Sequence, residues 1–260
     1  MRIAKLPGAA RCSRADLVIA LVLRSLSRRR DFRVRLPAAA VFLARESFPI
    51  DVQQLLDILG RQPYVTDYTS ATVLDIGGHK GYYGAYALSA GAACVSSFEP
   101  ELSNFEYLQR SAAAATGPRR RWVAEKIAVG GAEGYADLTV SQESWAHSLV
   151  SGSDADRTRA GSDRVRVTPA SRLIDEAAAR TAARLIVKIN AEGAECEIVL
   201  ATPPEKWRLV DEVFVEFHRF APCRRDEILT HLETAGFELS NELAFGGGSN
   251  LHLVRRGSST

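Results

Sequence analysis

The chain has 260 residues, enough for one large domain or one domain with an appendage, and its 46% hydrophobic and 25% charged content is that of an ordinary globular protein. Thirty-three basic and 31 acidic side chains leave a formal charge of +2, which gives a nucleic-acid partner no support. Four scattered cysteines (Cys12, Cys94, Cys196, Cys223), with no C-x-x-C pair, exclude a zinc ribbon or redox motif and suit a reducing, cytoplasmic setting.

In chain order, residues 1–12 read as a loose end. The apolar run LVIALVL (17–23) is too short for a membrane-spanning helix, which needs roughly 20 residues. Its basic cluster, Arg28 to Arg30, follows the run, whereas a signal peptide carries its charges first. No stable membrane insertion is expected. The segment reads as an amphipathic helix packed on the body, or as a surface or partner contact through those arginines, with a homodimer contact among its uses. DFRVRLP (31–37) alternates like a short strand. DVQQLLDILG (51–60) sets Val52, Leu55, Leu56 and Leu59 at helical spacing, with Asp51 as N-cap and Gly60 as stop. Residues 1–70 therefore read as an N-terminal appendage of helices with a candidate hairpin.

From residue 71 strands and helices alternate. TVLDIG, ACVSSFEP and RWVAEKIAVGG are three strands, separated by the helices YYGAYALSAGA and NFEYLQRSAAAA. An excursion, 133–183, carries two hairpin-like strands and the helix SRLIDEAAARTA, and is expected to shape an acceptor site. RLIVKIN and VDEVFVEFH are the fourth and fifth strands, each followed by a helix. FELSNEL and NLHLVRR close the chain as an antiparallel pair across Gly246 to Gly248. The pattern predicts an α/β fold over 71–256: a doubly wound, mainly parallel, seven-stranded Rossmann-like sheet.

The first strand runs into VLDIGGHKGYYG (73–84). Ligands of such sheets bind at the carboxyl ends of the strands, so this loop is the favoured site. It is not a dinucleotide fingerprint, because Ile76 stands where G-x-G-x-x-G needs its first glycine, and no G-K-[ST] follows. The pattern D-x-G-G-x-x-G, with Asp75, Gly77, Gly78 and Gly81, puts a carboxylate where a pyrophosphate would be repelled and an ammonium welcomed. S-adenosylmethionine carries such an ammonium. Glu99, ending the second strand, suits both hydroxyls of a ribose. Ala128 and Val129 offer an adenine only backbone groups and apolar contact.

VLDIGGHKGYYG, SFEPELSNFEYLQR, KIAVGG, IVKINAEGAECEIVLA and VFVEFH, in this order, resemble the FkbM family of S-adenosylmethionine-dependent methyltransferases, over about residues 65–240. The resemblance implies a class I methyltransferase fold and O-methylation of a small molecule such as a sugar, polyketide or other secondary metabolite. It carries Pro100 and Asn104 over as cofactor-binding residues beside Asp75, Gly77, Gly78, Gly81, Glu99 and Ala128. Two positions depart from it. His79 stands where Asn is usual, and Asn190 where Asp is usual. Both are expected at the cofactor, and an amide at 190 supplies no charge to a metal, so none is expected.

Methyl transfer to an alcohol benefits from a general base. His218, just past the fifth strand, is the first candidate, and Glu192, after the fourth, the second. Alternation places Glu216 on the same side as His218, as an acceptor-binding residue. His147 and Trp145, in the excursion, are the other acceptor contacts. Glu195 reads as structural, and Lys188 as a buried lysine in need of a partner. Other readings are an N-methyltransferase of a small amine, a binding protein without turnover and, disfavoured by Ile76 and Asp75, a nicotinamide oxidoreductase.

Overall fold

The structure, a computed structural model, describes residues 31–117, 120–142, 147–150 and 159–257. The run 17–23, Arg28 to Arg30, the dimer contact expected there, Cys12 and Trp145 lie outside the described residues.

Seven strands make the central sheet. They are β3 (Thr72–Ile76), β4 (Cys94–Phe98), β5 (Arg121–Glu125), β9 (Leu185–Ile189), β10 (Glu212–His218), β11 (Phe237–Phe245) and β12 (Gly248–Arg255). Their order is β11-β12-β10-β9-β3-β4-β5, and β12 pairs antiparallel with both neighbours while β10, β9, β3, β4 and β5 run parallel. The winding reverses between β3 and β9, so the crevice at their carboxyl ends is where a ligand belongs. Both strands are buried along their whole length and read as continuous apolar runs, as central parallel strands do. Lys188, Asp75 and Thr72 are the exceptions.

Helices cover both faces. On one, α4 (Ala170–Arg180), α5 (Glu195–Ala201), the short α6 (Pro204–Trp207) and α7 (Arg225–Thr234) pack Ile174, Ile198, Trp207 and Ile228 against Val187 and Val213. On the other lie α2 (Tyr82–Ala90) and α3 (Leu102–Ala113). They are joined by the hairpin β1 (Phe32–Arg35) and β2 (Ala40–Leu43) and by α1 (Phe48–Leu56). Val34, Val41, Phe48, Leu55 and Tyr64 share one hydrophobic cluster with Val73, Tyr86 and Val95, so residues 31–64 form a layer on the sheet.

Four local expectations change. Asp51 does not cap α1, which starts at Phe48 after Ser47. It lies in the first turn, fully buried, and binds Lys80 Nζ at 2.7 Å and the Ala44 amide. Burial raises its carboxyl above the ordinary range, against the pull of Lys80. Gly60 does not stop the helix. A π-turn, Asp57–Arg61, carries it on until Gln62 ends it in a left-handed conformation. RWVAEKIAVGG divides: β5 stays in the main sheet, while β6 (Ala128–Gly130) pairs with β8 (Arg159–Pro169), which pairs in turn with β7 (Gly134–Ser141). Finally, Cys196 and Cys223 are joined by a disulfide, and of the described cysteines Cys94 is free. Their 27-residue separation gave no sign of it, because the bond depends on how α5 meets the segment after β10. Among the described residues no helix is long and apolar enough to cross a membrane.

Candidate active site

The glycine loop leaves β3 and turns into α2. At Gly77 the chain is left-handed (φ +73°), and a Cβ there would lie 1.6 Å from the Asn190 carbonyl oxygen, so only glycine allows this approach of the two loops. Gly78 is pressed on Ser97 and Leu108, and Gly81 on Trp122; both pack behind the loop and do not line its cleft.

Beneath the loop lies an ion pair. The register puts Asp75 directly between Ser97 on β4 and Lys188 on β9. Its carboxylate binds Lys188 Nζ at 3.0 Å and accepts from Ser97 Oγ at 2.8 Å. Lys188 also donates to the carbonyls of Ile76 and Gly77, at 3.2 and 2.7 Å. Asp75 has no exposed surface and is absent from the cleft wall. An ammonium contact was expected of Asp75 directly or through water, and its direct form is corrected: that charge is already taken by Lys188, and the pair supports the loop from below.

Above the loop opens a cleft of about 680 Å³. Its walls include Gly77, His79, Glu99, Pro100, Asn104, Ala128, Asn190 and Glu192 from the expected set, with Phe98, Ile127, Leu138 and Leu149 as an apolar side. Glu99 is held by two amides: His79 N–H donates to Oε2 at 2.8 Å and Glu101 N–H to Oε1 at 3.0 Å. Burial outweighs these bonds and pushes its carboxyl up to about 7. His147 belongs to this cleft too. Its Nδ1 accepts from the Ser141 amide at 3.0 Å, its Nε2 stands 3.8 Å from Glu101, and burial keeps its pKa below the ordinary value. It thus lines the same cleft as Glu99 and Glu192.

A second cleft, about 780 Å³, adjoins the first. Gln54, Asp57, Ile58, Arg61, Pro63 and Tyr64 form one wall and Leu243, Ala244, Phe245 and Asn250 the other, with Glu216 and Asn190 between them. Gln54 and Asn190 line both clefts. Glu216 faces Asn250 across β10 and β12 and accepts from Tyr64 Oη at 3.0 Å.

His218 stands at the junction among carboxylates. Glu195 Oε1 is 2.9 Å from Nδ1; Glu192 and Glu216 lie 3.5 and 3.9 Å from Nε2. Burial alone would lower the pKa of the ring, but Glu192, Glu195 and Glu216 together outweigh it and raise it to about 10. This favours an imidazolium near neutrality, without a lone pair to take a proton, and argues against the expected role of His218 as general base. Glu195, read from the sequence as structural, is a full member of the cluster. Gln54 and Tyr64 also went unnoticed, for they come from α1 and the segment after it, far from any motif. Among the described residues no group of three His, Cys, Asp or Glu side chains has the geometry to hold a metal ion.

The strand order, with its antiparallel β12, and the cleft at the switch point define a class I methyltransferase fold. The model of the methyltransferase FkbM domain matches residues 75–239. The chain belongs to this FkbM family, and it is an S-adenosylmethionine-dependent methyltransferase. No curated protein matches it in sequence. Solved structures similar to it include a ribosomal protein L11 methylase from Lactobacillus delbrueckii subsp. bulgaricus, 15% identical, covering 82% of this chain and 80% of that one with a TM-score of 0.41. A TehB-like methyltransferase from Corynebacterium glutamicum (13% identity, 81% and 97% coverage, TM-score 0.41) is another. So is magnesium protoporphyrin IX methyltransferase from Synechocystis (12% identity, 81% and 83% coverage, TM-score 0.41).

The first cleft fits the cofactor. Glu99 projects carboxylate oxygens suited to ribose hydroxyls, and the Ile127–Leu138–Leu149 side suits an apolar ring. Asn190 Oδ1 is buried with no hydrogen-bond partner among the described residues, an acceptor that a cationic donor would satisfy.

Proposed function

We propose that the enzyme methylates a hydroxyl of a small molecule, with the cofactor in the first cleft and the acceptor in the second. The observation that carries this reading is their junction. Gln54 and Asn190 line both clefts, and Glu192 from the first and Glu216 from the second approach the same nitrogen of His218. The second cleft is concave and mixed, with Ile58, Pro63, Leu243, Ala244 and Phe245 as apolar surface and Gln54, Asp57, Arg61, Asn190, Glu216 and Asn250 as polar groups that could orient a small molecule. A small metabolite, and no nucleic acid, is the acceptor of this proposal.

When bound, the cofactor supplies a methyl group on a sulfonium. Glu99, His79, Asn104 and Asn190 hold and orient it. The acceptor hydroxyl must give up its proton, and imidazolium His218 cannot receive it. Glu216 is our candidate proton acceptor: it lines the proposed acceptor cleft, and burial raises its carboxyl above the ordinary value, which makes it a stronger base. Tyr64 donates to its Oε2, leaving Oε1 toward His218. Glu192 stands on the cofactor side, where its charge balances His218. The described part of the excursion 133–183 enters the first cleft, through Leu138, His147 and Leu149, so in this reading the acceptor is selected by α1, its π-turn and the β11–β12 hairpin.

A second reading is an amine acceptor. Three carboxylates against one imidazolium leave the junction acidic, which suits a cationic amine. The two are separated by methyl-labelled S-adenosylmethionine offered with a panel of small alcohols, phenols and amines to the wild type and Glu216→Gln. Transfer to oxygen, lowered at least a hundredfold by the substitution, supports the first reading. Transfer to nitrogen alone, nearly unchanged in the variant, supports the second. Calorimetric titration with S-adenosylhomocysteine beside NAD accompanies it, and binding of NAD instead would sink both.

A further inference from the structure

Glu195 has no exposed surface, yet its carboxylate carries three contacts, two from the turn after β9 and one from the end of β10. Oε1 accepts from the Ala191 amide at 3.0 Å and meets His218 Nδ1 at 2.9 Å. Oε2 accepts from the Gly193 amide at 2.9 Å. The turn it grips is strained. Glu192 adopts a left-handed φ of 48° despite its side chain, and Gly193 follows at 100°. A Cβ on Gly193 would come within 2.9 Å of the Phe220 ring. Such a conformation persists only where its surroundings over-determine it. On the other side of the turn, Ser148 Oγ donates to the Glu192 carbonyl at 2.6 Å.

We infer that Glu195 is a positioning residue of this active site: one buried carboxylate that folds the turn presenting Glu192 and fixes the ring of His218 between Glu192 and Glu216. Its meaning for catalysis rests on the proposed function, but the clamp itself does not. A carboxylate against Nδ1 requires a proton there, which turns Nε2 toward Glu192 and Glu216. The rings of Phe220 and Phe245, with centroids 5.2 and 6.0 Å from that of His218, hold it laterally. The groups whose charge reaches the cluster are Glu192 on the turn, Glu195 on α5, Glu216 on β10 and, through Glu216, Lys188 on β9. The Cys196–Cys223 disulfide ties the residue after Glu195 to the segment that follows His218, so both halves of the clamp are also linked covalently. Glu195 thereby keeps His218 charged and unable to compete with Glu216 for the acceptor's proton.

The test uses the full, ligand-free chain labelled with ¹⁵N-histidine, with His218→Gln to assign the resonance. In the wild type both ring nitrogens of His218 stay protonated through neutrality, with a titration near pH 10. In Glu195→Gln, which keeps the side-chain volume, the proton affinity of His218 falls at least tenfold. The amides of Ala191 and Gly193 exchange with solvent at least tenfold faster. A folded variant with an unmoved titration would show that Glu195 only packs, and would overturn the inference. So would a wild-type His218 that titrates near an unperturbed value of about 6.5. Should the variant not fold, the wild type still decides, because Ala191 and Gly193 amides exchanging as freely as an exposed loop refute the clamp. S-adenosylmethionine titrated into the same sample reports separately on the methyltransferase reading, whose failure would leave the histidine result standing.

Discussion

The two clefts, proposed here for cofactor and acceptor, share two residues but are built in different ways. The first is made where strands end: Gly77 after β3, Glu99 after β4, Asn190 and Glu192 after β9. These parts are backbone conformations and short loops, each spelled out in a contiguous motif, while Gln54 and the excursion residues Leu138, His147 and Leu149 complete the wall. The second is made of side chains from opposite ends of the described chain, Gln54 to Tyr64 against Leu243 to Asn250, meeting over Glu216. A cofactor of constant shape calls for constant backbone geometry. An acceptor is recognised by what the outer layers bring to the rim, and these layers lie partly outside the segment matched by the family model. The lesson is that cofactor chemistry can be read locally, while acceptor chemistry depends on how distant elements come together.

This contrast can be broken at several points. The largest effect is expected beneath the first cleft. Lys188→Met strips Asp75 of its partner and leaves a buried, uncompensated carboxylate, at a cost of roughly 3–5 kcal/mol in urea unfolding. A loss below about 1 kcal/mol would mean that the pair does not support the loop. Next comes Gly77→Ala. The new Cβ must displace the Asn190 carbonyl from a position 1.6 Å away, so cofactor affinity should fall more than about a hundredfold, near 2.7 kcal/mol, by calorimetry. Normal affinity would show that the close approach of the two loops is dispensable.

Glu99 gives a smaller effect with a distinctive pH signature. With its carboxyl near 7, much of it is protonated below neutrality, while ribose hydroxyls bind best to the ionised form. Affinity for S-adenosylhomocysteine should therefore rise from pH 6 to pH 8 and level off above. Glu99→Gln should flatten that profile and cost about tenfold at the upper end. A profile that falls with pH would reverse the assignment. The smallest effect sharpens the division between the clefts. Phe245→Ala, in the second, should leave cofactor affinity within about twofold and raise the KM for an acceptor by roughly three- to tenfold, about 1 kcal/mol. An equal loss of cofactor affinity would merge the two clefts into one site.

Much of the architecture was legible. The apolar runs of β3 and β9, the helix ending at Gly91 and the final hairpin across Gly246 to Gly248 followed from local pattern and appear as expected. So did the positions of Gly77, Glu99, Asn190, Glu192, Glu216 and His218 at the carboxyl edge. What failed was the state of those groups. Asp75 was expected to meet a ligand, but the strand opposite supplies Lys188. His218 was expected to be a base, but three carboxylates gather on it.

The sequence by itself determined the order of strands and helices and the glycine loop, because hydrophobic period and left-handed turns are properties of neighbouring residues; the cofactor followed from the family its motifs resemble, and not from the contact expected of Asp75. Only the tertiary structure decided which charges meet. Asp75 with Lys188, Asp51 with Lys80, Glu195 with His218 and Cys196 with Cys223 are pairings between separate elements. A side chain's charge state depends on burial and on the few ångströms that separate it from its partners, and neither is written in its place along the chain.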